Sequence, residues 1–305
     1  MTMANVKELK ARIEGVQETR KITNAMYLVA STKLRHARDA LDRTRPYFDA
    51  MRQEVEQIFR TGQSAKSRYF MTPSQGVHKH GVCGILVITA DKGLAGAYNL
   101  NATRKAEALL QEYPDARLFV VGEYGRRHFR MRHIPFETDF RYTAQEPTFN
   151  RARTICTRLL DLYDKKELNE ILVIYTEMKS SLSTETMLQR LLPLSREPFI
   201  QPDDAETETD GKFEFLPTFE TALAAVMRSY ISGFIYSALV DSFCSEQNSR
   251  VTAMDAAGRN AEQLLADLSL QLNRERQSAI TQEITEISAG AMAQRRNNRK
   301  EASTL

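Results

Sequence analysis

Residues 251–272, VTAMDAAGRNAEQLLADLSLQL, decide the fold of the C-terminal part of the chain. Their apolar side chains recur at steps of three, four or seven residues, which is typical of one face of an α-helix. The positions on this face are Val251, Met254, Ala261, Leu264, Leu268 and Leu272. Residues 218–305 contain no proline. Because a proline inside a helix costs about 3 kcal/mol, this segment is free to form one long helix.

The apolar face extends to both sides of this stretch. It begins at Phe219, Leu223, Val226 and Tyr230 and ends at Ile280, Ile284, Ile287 and Ala291. A helix over residues 218–294 would be about 115 Å long at 1.5 Å per residue.

The N-terminal segment has the same character, since residues 1–45 also lack proline. Its apolar positions are Val6, Leu9, Ile13 and Val16, then Ile22, Met26 and Val29 after a slip of register, then Ala30, Leu34, Ala37, Leu41, Thr44, Phe48, Met51, Val55 and Ile58. An interrupted heptad pattern indicates a coiled coil that locally changes its winding. Pro46 predicts a kink or a helix start within residues 4–60.

Neither helix is stable alone at such a length, because its apolar face needs a partner. We therefore predict that the two ends of the chain pack on each other as an antiparallel coiled coil.

The middle of the chain alternates short apolar runs with helical patterns, which predicts parallel βαβ units. The predicted strands are Val82–Thr89, Arg117–Val121 and Ile171–Thr176, and the predicted helices are Ala102–Leu110, Tyr124–Met131 and Phe149–Asp164. The predicted fold class is α/β: a Rossmann-like α/β domain carried by the coiled coil.

The predicted organisation has six parts. They are an N-terminal coiled-coil helix (1–60), a linker (61–80), the α/β domain (81–202), an acidic loop or connection (203–217), a C-terminal coiled-coil helix (218–296) and a tail (297–305).

The composition is that of a soluble globular chain, with 42% hydrophobic and 27% charged residues. A net charge of +3 does not favour a nucleic-acid-binding protein. The N-terminus resembles neither a secretory leader nor a transit peptide, and the apolar run Val82–Ala90 is too short to span a bilayer. We expect membrane association only through a partner. Cys83, Cys156 and Cys244 are too scattered for a disulfide framework or a zinc site, so we expect buried thiols.

The loop Asp91–Asn99, DKGLAGAYN, is the feature that most resembles an enzyme site. A glycine turn between a strand and a helix is where dinucleotides bind, because helix N-terminal amides attract phosphate. The loop is neither G-x-G-x-x-G nor a P-loop, so we favour a structural turn in which Asn99 or Asn101 caps the next helix.

Other candidate chemistry is weaker. His78 and His80 could hold a metal, but they lack further ligands at the right spacing. His128 and His133 lie among Arg126, Arg127, Arg130 and Arg132, a cluster that is either a solvated helix face or an anion-facing surface. Ser180, Ser181 and Ser183 follow a strand without a nucleophile elbow. We predict no catalytic residue, no metal and no cofactor.

Charged collars on the two long helices are the remaining unusual feature. The first comprises Lys33, Arg35, His36, Arg38, Arg43 and Arg45, and the second comprises Arg274, Arg276, Gln277, Thr281, Glu283 and Glu286. Such runs are either solvated helix faces or surfaces that exchange ion pairs with a surrounding partner.

Three stretches together resemble the gamma subunits of F-type ATP synthases. Residues 21–34, KITNAMYLVASTKL, are similar to the first helix of that family, and Asp91–Asn99 is similar to its D-[RK]-G-L-C-G-x-x-N turn. The closing helix carries the third motif, with Glu246, Arg250, Met254, Asn260, Asn273, Arg276, Gln277, Thr281, Glu283, Glu286 and Gly290. Ala95 stands where the family usually has Cys, and Leu272 replaces a common Tyr.

This resemblance implies a non-catalytic rotor shaft. It implies alpha and beta subunits in a hexamer, an epsilon subunit and a membrane-embedded c-ring as partners, with protons or sodium ions driving the ring. It also implies a peripheral position on the cytoplasmic face of the bacterial plasma (inner) membrane. The alternatives left open by the residues are a nucleotide-binding α/β enzyme and an unrelated coiled-coil adaptor.

Site residues follow by position from the same resemblance. Hexamer contacts are expected along the shaft at Met26, Lys33, Glu246, Arg250, Arg276, Gln277, Thr281 and Glu283. Contacts with the c-ring or the epsilon subunit are expected at Phe213, Glu214 and Phe215.

Overall fold

A computed structural model describes residues 2–60, 69–70, 82–180, 183–194 and 218–302. In chain order the elements are α1 (Thr2–Arg60), β1 (Cys83–Ile88), α2 (Tyr98–Glu112), β2 (Arg117–Val121), α3 (Glu123–Met131), α4 (Phe149–Asp164), β3 (Glu170–Met178), β4 (Thr184–Leu192) and α5 (Phe219–Ala302).

Most of the predicted linker 61–80 and all of the acidic loop 203–217 lie outside the described residues. Within the linker, Tyr69 and Phe70 are described, and Phe70 is a buried core residue that bridges to Leu194. The middle of the predicted linker therefore contains a residue that belongs to the core.

The two long helices follow from the sequence pattern. α1 has 59 residues and α5 has 84, and α5 continues to Ala302 rather than ending at residue 296. Pro46 lies inside α1, so the expectation that it starts a helix is wrong. The missing amide hydrogen of Pro46 removes one hydrogen bond, but the helix continues on both sides of it.

The chain divides into two compact units, and each long helix contributes to both. The first unit comprises Met1–Leu28 and Met254–Leu305, and the second comprises Val29–Ala253.

In the first unit, α5 presents a heptad seam. Met254, Ala261 and Leu268 are buried at heptad spacing, and Gly258, Leu265 and Leu272 lie half-buried on the same seam. Leu264, predicted for the seam, is exposed because the neighbouring Leu265 takes the seam position instead. Continuous alternation of four and three steps is the geometry of coiled-coil packing.

The α1 side of this unit agrees with the prediction at its start and departs from it later. Val6, Leu9, Ile13 and Val16 are half-buried, as expected. Ile22 is 60% exposed, whereas Thr23 and Met26 are half-buried. The seam therefore keeps its register through Thr23, a polar residue that interrupts the apolar pattern. Arg20 and Glu262 form an exposed ion pair across the two helices, 3.4 Å apart.

In the second unit, α1 and α5 pack antiparallel. Leu34, Ala37 and Leu41 form one apolar cluster with Val240, Phe243 and Cys244. Further along α1, the ring of Phe48 stacks on Tyr230 at 5.7 Å between centroids. Rising numbers on α1 therefore meet falling numbers on α5, which confirms the antiparallel pairing. Val29, another predicted seam residue, is 58% exposed because the next residue, Ala30, takes the buried position.

The α/β part of the second unit is a four-stranded sheet in the order β2-β1-β3-β4. The strands β2, β1 and β3 are parallel, and β4 pairs antiparallel with β3. β1 is fully buried and was predicted from its apolar run. β4, TETMLQRLL, was not predicted, because an edge strand that is mostly half-buried or exposed carries no continuous apolar run.

Helices cover both faces of the sheet. One face packs on α2 and α3 through Ala102, Ala106 and Phe129. The other face packs on α4 and on the first part of α5, through residues that include Ile155, Leu159, Met227, Ile231 and Ile235. The fold class α/β with long terminal helices is therefore confirmed.

The helix α5 contains an 18-residue window apolar enough to cross a membrane, with a mean hydropathy of 1.4. Of this window, 56% is buried inside the protein. The apolar character of α5 therefore fits its packing on the sheet and against α1.

A substitution at Gly122, between β2 and α3, tests the close contact between this residue and Thr89. Gly122 has φ +95°, and a Cβ there would overlap the carbonyl group of Thr89. We expect Gly122→Ala to lower the free energy of unfolding by about 3 kcal/mol, through backbone strain and steric overlap. Urea unfolding followed by circular dichroism measures this.

The control is Gly258→Ala, since a Cβ at this helical position meets nothing within 4 Å. An alanine there should raise stability by about 0.5–1 kcal/mol. Equal stability of Gly122→Ala and the natural chain would contradict the close approach.

Candidate functional site

A ligand of an open α/β sheet would bind in the crevice at the carboxyl ends of β1 and β3. In the order β2-β1-β3, the chain passes to opposite sides of β1, and open α/β sheets bind ligands at this switch point. The loop Asp91–Asn99 follows β1 and lines the crevice.

Side chains of α5 fill this crevice. Ser242 Oγ accepts a hydrogen bond from the Thr176 amide at 3.2 Å, and Ser245 Oγ donates to the Thr176 carbonyl at 3.1 Å. Glu246 and Gln247, the next residues on the helix, are 0% and 1% exposed. The position that holds a dinucleotide in related architectures is therefore occupied by this chain's own helix.

The loop itself is fixed by Asn99. Its Oδ1 accepts from the Ala90 amide at 2.9 Å, and its Nδ2 donates to the Lys92 carbonyl at 3.3 Å. The helix α2 begins one residue before Asn99, after Ala97, which makes no side-chain cap. The prediction that Asn99 or Asn101 caps this helix is therefore wrong: Asn99 closes the loop instead.

Asp91 joins this loop to two other segments. Its Oδ1 accepts from the Glu123 amide at 2.9 Å, at the start of α3. Its Oδ2 accepts from the amides of Ala144 and Gln145, at 3.1 and 3.3 Å, and from the Thr143 hydroxyl. A carboxylate with this many donors is committed to structure, which argues against a role as a general base.

An ion pair on α5 faces the same loop. Arg250 Nη1 lies 2.7 Å from Glu246 Oε1, and Arg250 Nη2 donates to the Gly93 carbonyl at 3.1 Å. Burial raises the pKa of Glu246, and the charge of Arg250 opposes that shift. The two residues, expected on the shaft surface, thus make contacts within the chain. The spacing of four residues on one helix could have predicted this ion pair from the sequence. The hydrogen bond to Gly93 could not be predicted, because Gly93 lies 157 positions away.

On α1, Lys33 makes a further link to the α/β part. Its Nζ donates to Gln145 Oε1 at 3.2 Å. Gln145 was not singled out from the sequence, because a contact across 112 positions leaves no local pattern. Met26, the other candidate on α1, is half-buried in the first unit.

The remaining shaft candidates lie on the far part of α5. Arg276, Gln277, Thr281 and Glu283 are exposed in the first unit, and Thr281 Oγ1 donates to the Gln277 carbonyl at 2.9 Å. Within the described residues, Arg276 and Glu283 have no ion-pair partner. Every described side chain from Thr281 to Met292 is exposed.

An apolar stripe accompanies these polar groups. Ile280, Ile284 and Ile287 are 47%, 60% and 66% exposed. They were predicted as the end of the seam, but no helix of the described part covers them. A contiguous exposed apolar stripe marks an interaction surface.

The other candidates are accounted for in different ways. His128 and Arg132 both contact the carboxylate of Glu107, at 2.7 and 3.0 Å, so this part of the arginine cluster is paired internally. The three cysteines are buried and free, as expected. No group of metal-ligating side chains occurs among the described residues. His78, His80, Ser181, Phe213, Glu214 and Phe215 lie outside the described residues.

The chain matches a known protein family over nearly its whole length. A family model described as ATP synthase matches residues 5–293. The chain is 40% identical to the ATP synthase gamma chain of Acetivibrio thermocellus, over 95% of this chain and 99% of the relative. It is 35% identical to the sodium-ion-specific ATP synthase gamma chain of Acetobacterium woodii, over 95% and 98% of the two chains.

Solved structures show the same fold at lower identity. A chain of the Euglena gracilis mitochondrial ATP synthase, in a structure of its OSCP, F1 and c-ring, gives a TM-score of 0.61 at 18% identity. This match covers 95% of this chain and 94% of that chain. A chain of the Tetrahymena thermophila mitochondrial central stalk and c-ring gives 0.56 at 23% identity, over 77% and 99%.

Asp91→Asn tests the hydrogen-bonded loop. An amide keeps the size of the carboxylate but offers one acceptor oxygen where the backbone amides of Glu123, Ala144 and Gln145 need two. We expect the free energy of unfolding to fall by about 2–4 kcal/mol, measured by urea denaturation. Asp115→Asn, in an exposed turn, is the matched control, and equal losses in the two variants would contradict the role of Asp91.

The thiols give a test of burial and of pH dependence. Burial raises the pKa of Cys83 and Cys244 to about 12 and that of Cys156 to about 11. We expect a disulfide reagent at about pH 8 to label no thiol in the native chain and all three in denaturant.

The sign of the pH effect follows from these pKa values. Unfolded thiols ionise near their ordinary pKa of 9.0, below the folded pKa values. Each thiol therefore contributes stability that is present below about pH 9 and is lost as the pH rises toward about 12. A free energy of unfolding whose alkaline dependence is unchanged in a Cys83→Ala and Cys244→Ala double variant would contradict this.

Proposed function

The chain belongs to the family of ATP synthase gamma chains, and from this premise we propose that it is the central rotor shaft of an F-type ATP synthase. The shaft couples ion flow through a membrane c-ring to ATP synthesis or hydrolysis in a hexamer of alpha and beta subunits. One observation carries this proposal. The helix α5 pairs with α1, and it then continues into a part whose apolar stripe is not covered by any described residue.

The uncovered part of α5 has the properties of a surface that works inside another protein. Ile280, Ile284 and Ile287 would lose their water contact inside a protein sleeve, which is favourable at about 25 cal/mol per Å² of apolar surface. Arg276 and Glu283, unpaired within the described residues, can form ion pairs that exchange as the shaft turns.

We propose that the chain has no catalytic site of its own. The filled crevice supports this, because Ser242, Ser245 and Glu246 occupy the switch point where an α/β enzyme would bind a nucleotide. The committed hydrogen bonds of Asp91 support it as well. These two observations weigh against the alternative of a nucleotide-binding enzyme.

The proposed mechanism is differential contact. A shaft built from two unlike helices presents a different face to each catalytic subunit at any moment. A contact can shift a subunit's conformation only if it binds two conformations with different affinity. Rotation therefore moves each catalytic subunit in turn through its nucleotide-binding states.

The proposed site residues fall into three groups. Met26, Lys33, Arg276, Gln277, Thr281 and Glu283 contact the hexamer. Glu246 and Arg250 act within the chain, since Glu246 has no exposed surface and Arg250 is 8% exposed. Phe213, Glu214 and Phe215 contact the c-ring or the epsilon subunit. The complex lies on the cytoplasmic face of a bacterial plasma membrane, and this chain reaches the membrane only through its partners.

Affinity purification tests the proposed assembly. A tag on this chain should co-purify a nucleotide-hydrolysing alpha/beta hexamer from membranes gently solubilised in detergent. The purified chain alone should show no saturable binding of labelled ATP. Recovery of the chain without an ATPase would favour an unrelated coiled-coil adaptor, and saturable ATP binding abolished by Gly93→Ala would favour an enzyme.

Arg276→Ala tests the upper contact surface. Loss of an exchangeable ion pair of about 0.5–1 kcal/mol at each catalytic step should lower the rate of ATP synthesis roughly two- to fivefold. Thermal unfolding of the isolated chain should stay unchanged, because Arg276 is exposed and has no ion-pair partner in the described part of the chain. The control is Arg259→Ala, because Arg259 lies on the same helix but is paired with Asp255. This variant should leave the rate of ATP synthesis unaltered. Equal rates in the natural protein and both variants would show that Arg276 is not part of the contact surface.

A further inference from the structure

Arg250 makes two different contacts with one guanidinium group. Nη1 lies 2.7 Å from the Glu246 carboxylate one turn earlier on α5, and Nη2 donates to the Gly93 carbonyl at 3.1 Å. The planar fork of an arginine can serve both directions at once, whereas a lysine ammonium cannot reproduce that geometry. The side chain thus connects α5 with the loop Asp91–Asn99.

Glu246 lies beside the guanidinium group of Arg250. It is completely buried, and the charged groups that act on it are Arg250 on α5, Lys33 on α1 and Asp91 in the loop. Burial raises the pKa of Tyr98, at the start of α2, and the charge of Glu246 adds to this shift. A buried carboxylate is expensive to keep, so its retention beside Arg250 is consistent with a positional role.

The loop that receives the hydrogen bond is itself tied to the rest of the α/β part. Asn99 closes it, and Asp91 connects it to the start of α3 and to residues 143–145. Lys33 of α1 donates to Gln145 in that last segment. Both long helices are therefore hydrogen-bonded to one connected set of loops in the second unit.

Hydrogen bonds can resist rotation of α5 about its own axis, which apolar packing resists only weakly. Ser242 and Ser245 already join α5 to Thr176 of β3 by directional hydrogen bonds. The apolar contacts between α5 and the sheet are non-directional, so they resist separation more than they resist a small turn of the helix about its axis. A charge-assisted hydrogen bond weakens steeply with distance and angle. It therefore fixes the angle of a helix relative to the loop it contacts.

We propose that Arg250 is a positioning residue that fixes the angular register of α5 against the loop Asp91–Asn99 through the Gly93 carbonyl. The negative charge of Glu246 holds the guanidinium of Arg250 in place, and the hydrogen bond from Lys33 to Gln145 supplies the corresponding link from α1. The structural part of this proposal concerns the second unit alone. Its role in transmitting torque rests on the proposed rotor function.

Hydrogen exchange of the full-length chain, read by mass spectrometry, tests the structural part. In Arg250→Gln, amides in the peptide covering residues 90–99 should exchange about tenfold faster, since a hydrogen bond to a charged donor is lost. Peptides from β1 should keep their rates. Glu246→Gln should give a smaller increase at the same loop, and Arg250→Lys should restore only part of the protection.

Arg228→Gln is the matched control, because Arg228 is an exposed arginine on α5 in the same unit. It should leave the loop unchanged. Equal acceleration in the loop and in β1 would show a loss of global stability instead and would overturn the proposal. So would an unchanged loop in Arg250→Gln.

The torque role is tested in the assembled complex in sealed vesicles. Arg250→Gln should lower ATP-driven ion pumping several-fold more than it lowers ATP hydrolysis, and Arg228→Gln should lower neither. Full pumping in a complex whose loop exchanges faster would overturn the torque role. Failure of the rotor function itself would appear differently, as a natural chain that purifies without an ATPase.

Discussion

Neither terminal helix can bury its apolar face alone, and the rest of the structure depends on this constraint. A helix of 59 or 84 residues is held by packing rather than by intrinsic propensity. In the second unit, Leu34, Ala37 and Leu41 of α1 meet Val240, Phe243 and Cys244 of α5. In the first unit, the heptad of Met254, Ala261 and Leu268 repeats the same solution. The two ends of the polypeptide must therefore come together before either helix is stable.

The same helix serves two kinds of packing. The first part of α5 is a core helix of the α/β sheet, through residues such as Met227, Ile231 and Ile235. The residues Ser242, Ser245 and Glu246 then close the crevice at the ends of β1 and β3. Its far part carries an exposed stripe instead. The ends of β1 and β3, where open α/β sheets bind ligands, are thus covered by this chain's own helix.

Much of this architecture could be predicted from the sequence. Absence of proline and heptad spacing gave the two long helices, and continuous apolar runs gave β1, β2 and β3. β4 was missed because an edge strand lacks such a run, and Thr23 was missed because a polar residue can hold a seam position. The links from Arg250 to Gly93 and from Lys33 to Gln145 join residues 157 and 112 positions apart. Such contacts are set by tertiary packing, which local patterns do not record.

Direct observation of rotation tests whether this chain turns as a shaft. The native thiols are buried, so a cysteine at the exposed Ala108 of α2 provides a single reactive thiol for a visible probe. The hexamer is fixed to a surface and ATP is added. We expect the probe to turn in one direction, in steps, while ATP is hydrolysed. A probe that stays still on a complex that hydrolyses ATP would contradict it.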